Sequence, residues 1–188
     1  MEVAYVENQL KMFKAANKFS SIILRAFNVF GLNETEYGSS SSVTGRFRYQ
    51  LKSHQALMIE GNGHQIRDFI HIDDVVDGLV LAGENSKLSN EIINLGTGKG
   101  KAIKELATSL TANLKMEKGR PFEIKALVAN TCRMKAKLGL KIKRSIDELP
   151  KMIESEMTAN DSRADFTKWL RKYDLRQAPW LFKIRYDI

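Results

Sequence analysis

The sequence predicts an α/β fold with a largely parallel sheet, and two patterns carry that prediction. Short apolar runs rich in β-branched residues, such as Ile22-Ile23-Leu24 and Ile92-Ile93, are bounded by turn residues and read as buried strands. Stretches with apolar residues at helical spacing lie between them, so strand and helix alternate. Composition bounds the answer: 188 residues, 43% hydrophobic and 28% charged, is an ordinary globular balance. No run approaches the roughly 18 apolar residues of a transmembrane helix. The start, Met1 to Tyr5, lacks the basic and apolar regions of a secretory signal. The single cysteine, Cys132, makes no internal disulfide, and no Cys/His cluster has zinc spacing, so a reducing, cytoplasmic setting and no metal site are expected.

Val3 to Phe19 is the first expected helix, with Val6, Leu10, Phe13 and Asn17 in helical register. Ser21 to Gly31 follows as one buried strand, and a serine-rich loop runs to Ser42. Thr44 to Lys52 reads as a short helix with Phe47 and Leu51 at i, i+4. Strands are expected at Ala56–Ile59 and Phe69–Ile72, separated by the Gly61-Asn62-Gly63 turn. Asp73-Asp74 sits where a helix N-cap belongs, ahead of Val75 to Ala82. Glu91 to Leu95 is a strand, and Gly96 to Gly100 a turn. The next helix places Ile103, Leu106, Ala107, Leu110 and Leu114 on one face. Pro121 to Val128 reads as a strand, Arg133 to Leu138 as a helix stopped by Gly139, and Ile146 to Met157 as a helix with Pro150 in its first turn. A last helix would carry Phe166, Trp169, Leu170 and Tyr173 on one stripe.

Two motifs of dinucleotide chemistry do not occur in these residues. Gly61-Asn62-Gly63 is followed at the required spacing by Ile66, and Gly96-Thr97-Gly98 by Lys101, so neither completes Gly-x-Gly-x-x-Gly. No tyrosine has a lysine four residues on: Tyr5 meets Gln9, Tyr37 Ser41, Tyr49 Ser53 and Tyr173 Gln177.

Five blocks do occur in a specific order. They are Leu24-Arg25-Ala26-Phe27-Asn28-Val29-Phe30-Gly31, Gly61-Asn62-Gly63 through Arg67-Asp68-Phe69-Ile70-His71-Ile72-Asp73-Asp74, Asn94-Leu95-Gly96-Thr97-Gly98, Arg120-Pro121-Phe122-Glu123, and Leu138-Gly139. Together they resemble the C-terminal half of the extended short-chain dehydrogenases, specifically the NAD-dependent nucleotide-sugar epimerases and dehydratases related to UDP-glucose 4-epimerase. The resemblance spans about Val3 to Met157, giving an expected domain at 1–157 and a helical extension at 158–188 with no recognised counterpart.

The resemblance implies the later part of a Rossmann-like sheet plus the small substrate-binding α/β subdomain. The N-terminal half, with its glycine-rich turn and tyrosine–lysine pair, would be missing, and Glu7 would stand one helical turn beyond that pair. It further implies that Asn28 contacts the phosphates of a UDP-, GDP-, ADP- or dTDP-sugar, with the Phe27 backbone near the nicotinamide. Arg67 and Arg120 would hold the pyrophosphate, and Glu123 would accept a ribose hydroxyl. Guanidinium forks match paired phosphate oxygens, and carboxylates accept hydroxyl hydrogen bonds.

Each residue also has a plainer reading. Asn28 would cap a turn, Arg67 would pair with Asp68 or Asp74, and His71 would be a half-buried strand histidine. Four positions depart from the pattern: Glu60 replaces an apolar or aromatic residue beside the nucleobase, Leu32 a proline, Phe122 a glycine, and Glu123 an aspartate.

No catalytic residue is assigned. NAD is expected in the full-length family and not on this chain alone. The leading expectation is therefore the substrate-binding half of such an enzyme, inactive alone. Alternatives are a non-catalytic binding or interaction module, or a truncated remnant. Partners would be the nucleotide-sugar and either a second copy or the other half of the enzyme. Residues 115–151 hold 11 Lys+Arg against 4 Asp+Glu, a net +7 of the chain's +8. With no helix-turn-helix, RNA-binding sheet motif or long basic run, this excess points to a small anion rather than nucleic acid.

Overall fold

The computed structural model describes residues 2–17, 20–35 and 41–158; the expected helix through Phe166 and Trp169, in the 158–188 extension, lies outside them. Helix α1 spans Glu2–Asn17. Its Glu7 is buried and accepts Nε and Nη2 of Arg25, each at 2.6 Å, which ties the helix to strand β1 (Ile22–Ala26). The Arg25 hydrogen bonds hold the Glu7 carboxyl below its ordinary value.

The run expected as one strand is two. β1 ends at Ala26 and β2 spans Asn28–Phe30. At the break, Phe27 donates its N–H to Leu95 O at 2.9 Å. The break passes the chain from one partner to another: β1 pairs in parallel with β5 (Glu91–Leu95), and β2 with β4 (Ile66–His71). Helix α2 (Val43–Lys52) is capped by Ser42, whose Oγ accepts Gly45 N–H at 2.9 Å. Strand β3 (Leu57–Glu60) pairs in parallel with β7 (Leu114–Glu117). Leu114, expected on a helix face, therefore belongs to a strand: α4 (Ile103–Leu110) ends at Thr111, whose φ of −163° is extended.

Two short strands flank β4, β6 (Gly100–Ala102) antiparallel and β8 (Ala126–Leu127) parallel. Only those two residues of the expected Pro121–Val128 strand pair, because Pro121 has no N–H and Phe122 turns the backbone to a φ of 60°. Four of the five pairings among described residues are parallel. The expected helix at Arg133–Leu138 is a short π-helical turn, Met134–Leu138, ended by left-handed Gly139. Helix α5 (Leu149–Thr158) follows a single 3₁₀ turn at Ile146–Glu148, with Pro150 in its first turn where no intrahelical donor is lost.

Helix α3 spans Ile72–Glu84, and its N-cap is His71 rather than Asp73 or Asp74. Nδ1 of His71 accepts Asp73 N–H at 3.1 Å. Asp74 is fully buried instead and accepts the N–H groups of Lys143 and Arg144 at 3.0 and 3.1 Å.

Two apolar cores result. One gathers Phe47, Leu57, Ile59, Phe69, Leu106 and Leu149 between α2, β3, α4 and α5. The other gathers Ile70, Val75, Ile93, Leu95, Met134 and Leu140 around the β1–β5 pair and α3. Phe69 and Ile70, adjacent on β4, point to opposite faces and serve one core each. The layout matches the expected pairing of a parallel sheet with a smaller α/β unit. No described helix is long and apolar enough to cross a membrane.

One buried cation was not foreseen. Arg48 on α2 is 1% exposed, donates to Gly31 O at 3.1 Å, and meets Glu156 of α5 at 2.8 Å. Lys52, one turn on, reaches the same carboxylate at 2.8 Å.

Candidate functional site

Strand β4 positions the site. Its successive residues Arg67 and Asp68 face opposite ways by strand alternation. Asp68 points inward and is fully buried. It accepts the N–H groups of Thr97, Gly98 and Ala129 at 2.9, 2.8 and 3.1 Å, and the Thr97 hydroxyl at 2.6 Å. The Gly96-Thr97-Gly98 segment is thus a turn wrapped around a carboxylate. A Cβ on Gly96 would lie 2.4 Å from the Ala129 side chain, so only glycine fits that approach. Asn28 joins the same strand, donating its amide to Asp68 O at 2.8 Å.

Arg67 points outward. It meets Glu123 Oε1 in a short ion pair and donates Nη1 to Ile124 O at 2.8 Å. The pairing with Asp68 or Asp74 is therefore not made; both acids serve buried backbone donors. Arg67 and Glu123, 56 residues apart, are two of the predicted site residues, and the structure brings them into contact.

Arg120 lies on the loop beyond β7. Gly119 and Gly61 face one another there, and a Cβ on Gly119 would sit 3.2 Å from the Gly61 Cα. This close approach lays Arg120 over the end of β3, where its Nε is 2.6 Å from Glu60 Oε2. Glu60 also meets Arg46 of α2 at 2.7 Å. Burial pushes the Glu60 carboxyl up, but hydrogen bonds and charge from Arg120 and Arg46 outweigh it and hold the group below its ordinary value.

Between these loops opens a cavity of about 420 Å³, lined by Glu60, Gly61, Gln65, Arg120, Glu123 and Lys125 among others. Of the predicted residues Arg120 and Glu123 line it, whereas Phe27, Asn28 and Arg67 do not. A larger concavity of about 710 Å³, beside His64, Lys104 and Thr108, contains none of the predicted residues. The smaller one carries the chemistry: arginine and lysine side chains converge with two carboxylates at its wall. Sequence reasoning missed Arg46, Lys125 and the pairing role of Glu60. Glu60 alone left a signal, as a departure from the resembled pattern. Among the described residues no group of three His, Cys, Asp or Glu could hold a metal ion.

Three of the eleven basic residues between 115 and 151 are paired away from the cavity. Lys137 meets Glu91, Lys143 meets Asp77 at 2.6 Å, and Arg144 lies 3.6 Å from Asp73.

Residues 2–96, half of the chain, match the model of the NAD dependent epimerase/dehydratase family. Over 102 residues the chain is 39% identical to an ADP-L-glycero-D-manno-heptose-6-epimerase of Brachyspira hyodysenteriae, covering 53% of this chain and 32% of that protein. Over 160 residues it is 28% identical to a UDP-glucose 4-epimerase of Cyamopsis tetragonoloba, covering 73% and 46%. Among solved structures it is similar to the UDP-glucose 4-epimerase of Thermotoga maritima determined with UDP-glucose. That match has a TM-score of 0.73 and 26% identity, and covers 82% of this chain and 52% of the other. The chain thus spans between a third and a half of the length of these relatives.

Proposed function

The chain belongs to the NAD-dependent epimerase/dehydratase family, and we propose that it supplies the nucleotide-sugar-binding half of such an enzyme and is inactive alone. One observation carries the reading: Arg120, Lys125 and Glu123 line one cavity, and Arg67 on β4, outside that lining, is paired with Glu123. A guanidinium fork and an ammonium at one cavity, with a second guanidinium behind Glu123, suit a pyrophosphate, which offers oxygens in two directions. Glu123 suits a ribose hydroxyl, since one carboxylate oxygen can keep Arg67 while the other accepts. Asn28, outside the lining and with its amide on Asp68 O, has no part in this reading beyond holding β2 to β4. The relatives make UDP- and ADP-sugars the first classes to test.

NAD in this family takes up and returns a hydride. In this chain the Phe27 N–H is committed to Leu95 O at 2.9 Å and the Asn28 amide to Asp68 O at 2.8 Å. These residues offer an edge to such a group rather than a cradle. The sequence contains neither a Tyr-x-x-x-Lys pair nor a complete Gly-x-Gly-x-x-Gly turn. The chain's own part is then to bind and orient the diphosphate.

Calorimetric titration with UDP-glucose and ADP-glucose tests this. One of the two should bind, and Arg67→Gln or Arg120→Gln should each weaken binding by about tenfold or more. Absence of binding by either ligand would refute the reading. Epimerisation of a bound sugar by the purified chain with added NAD would refute the assigned division between binding and catalysis.

A further inference from the structure

Glu60 sits between two arginines from different elements. Its Oε1 accepts from Arg46 Nη1 at 2.7 Å and from Arg120 Nη2 at 2.9 Å, while its Oε2 is 2.6 Å from Arg120 Nε. The carboxylate therefore covers the Nε–Nη2 edge of Arg120. That planar edge is one on which a guanidinium grips two phosphate oxygens. A carboxylate and a phosphate cannot share it, because two anions would then lie within hydrogen-bond distance of each other.

The two arginines differ in freedom. The Arg120 side chain is 67% exposed, on a loop, and can swing. The Arg46 side chain is 29% exposed, on a helix, and also donates to Met58 O at 3.3 Å. Glu60 released from Arg120 would still have Arg46 to hold it.

We propose that Glu60 is an internal competitor for the anionic ligand of this cavity: a bound phosphate takes Arg120 from it, and Arg46 retains the displaced carboxylate. The inference rests on the pyrophosphate reading above and deepens it, making Glu60 the residue that sets affinity and Arg46 a positioning residue that acts only through Glu60. The resembled pattern has an apolar or aromatic residue at this position, so the competition is a property of this chain.

The test is a double-mutant cycle read by calorimetry at fixed ionic strength, with UDP-glucose and ADP-glucose as probes. Glu60→Gln keeps the shape and removes the charge, and should tighten binding of the accepted probe by about tenfold. Glu60→Ala should change affinity in the same direction. Arg46→Gln should weaken binding in the wild-type background, because Glu60 then rests on Arg120 alone, and should have no effect when Glu60→Gln is already present. Glu60 variants that bind no tighter than wild type, while Arg120→Gln still weakens binding, would overturn the competition and leave the pyrophosphate reading standing. An Arg46→Gln effect equal in both backgrounds would overturn the positioning role. Absence of binding by every variant would overturn both readings together.

Discussion

Phe122 holds a left-handed backbone, with φ at 60°, and its side chain is fully exposed. Such a conformation costs an aromatic residue about 1–2 kcal/mol, and no burial of the ring offsets it. It falls where the resembled motif has glycine, so the loop keeps a shape that only glycine adopts freely. Phe122→Gly should stabilise the protein by about 0.5–1 kcal/mol in urea denaturation, the gain being trimmed by glycine's greater freedom in the unfolded chain.

Two other residues act oppositely on the pH dependence of stability. Burial pushes the Glu34 carboxyl above its ordinary value, against the Ser42 and Thr44 hydroxyls that donate to it. Burial also pulls the His71 imidazole below its ordinary value, in keeping with its neutral role as an N-cap acceptor. The folded protein binds a proton at Glu34 more readily than the unfolded chain does, so this contribution weakens as pH rises through the folded-state value. It binds one at His71 less readily, so that contribution is full above the unfolded value near 6.5 and is lost as pH falls. Between the two ordinary values the effects offset each other. Thermal melts of Glu34→Gln should fall more steeply than wild type as pH drops from 7 to 5. Those of His71→Asn, which keeps a capping oxygen, should rise relative to wild type.

At the scale of elements, local signals and distant ones were not equally legible. Strand in the runs at 22–30, 57–59, 69–71 and 91–95 could be read because dense apolar runs with β-branched residues admit little else, but not the break at Phe27, nor that Ile66-Arg67-Asp68 begins β4 and Ile72 begins α3. β6, Gly100-Lys101-Ala102, carries no such run and is a strand only because β4 lies beside it. Leu114 continued the stripe of α4 by spacing, yet Thr111 and Asn113 end the helix and β3 recruits Leu114. His71 displaced the expected aspartate cap because Asp74 was claimed by two backbone donors 69 and 70 residues away. The site divides the same way. Arg67, Arg120 and Glu123 stood in recognisable blocks, but Arg46–Glu60 and Glu60–Arg120 are contacts between elements that no local pattern encodes.

The Arg48–Glu156 pair is another such contact, and it joins α2 to α5. Removing one partner of a buried ion pair leaves the other charge uncompensated. For Arg48 the loss is partial, because Glu34 Oε1 stays 3.9 Å away, while Lys52 loses its partner too; Glu156→Gln should cost about 2–3 kcal/mol of unfolding free energy in urea denaturation.

For the molecule as a whole, two cores share one strand, and the cavity lies where the loops of the smaller unit meet β4. That arrangement gathers Glu60, Arg120, Glu123 and Lys125 at one wall in a chain spanning between a third and a half of its relatives' length. The α/β class and parallel pairing followed from alternation alone. The position of the wall did not, because it depends on Gly61 and Gly119 meeting across 58 residues of sequence.

The most direct test of the account is a backbone ¹H–¹⁵N titration of the whole chain with UDP-glucose and, separately, ADP-glucose. The account predicts saturable shifts with one of the two, centred on the amides of Glu60–Gly63, Arg67 and Gly119–Lys125. Shifts confined to the concavity beside Lys104, Thr108 and Ser109, or no saturable shift with either nucleotide-sugar, would contradict it.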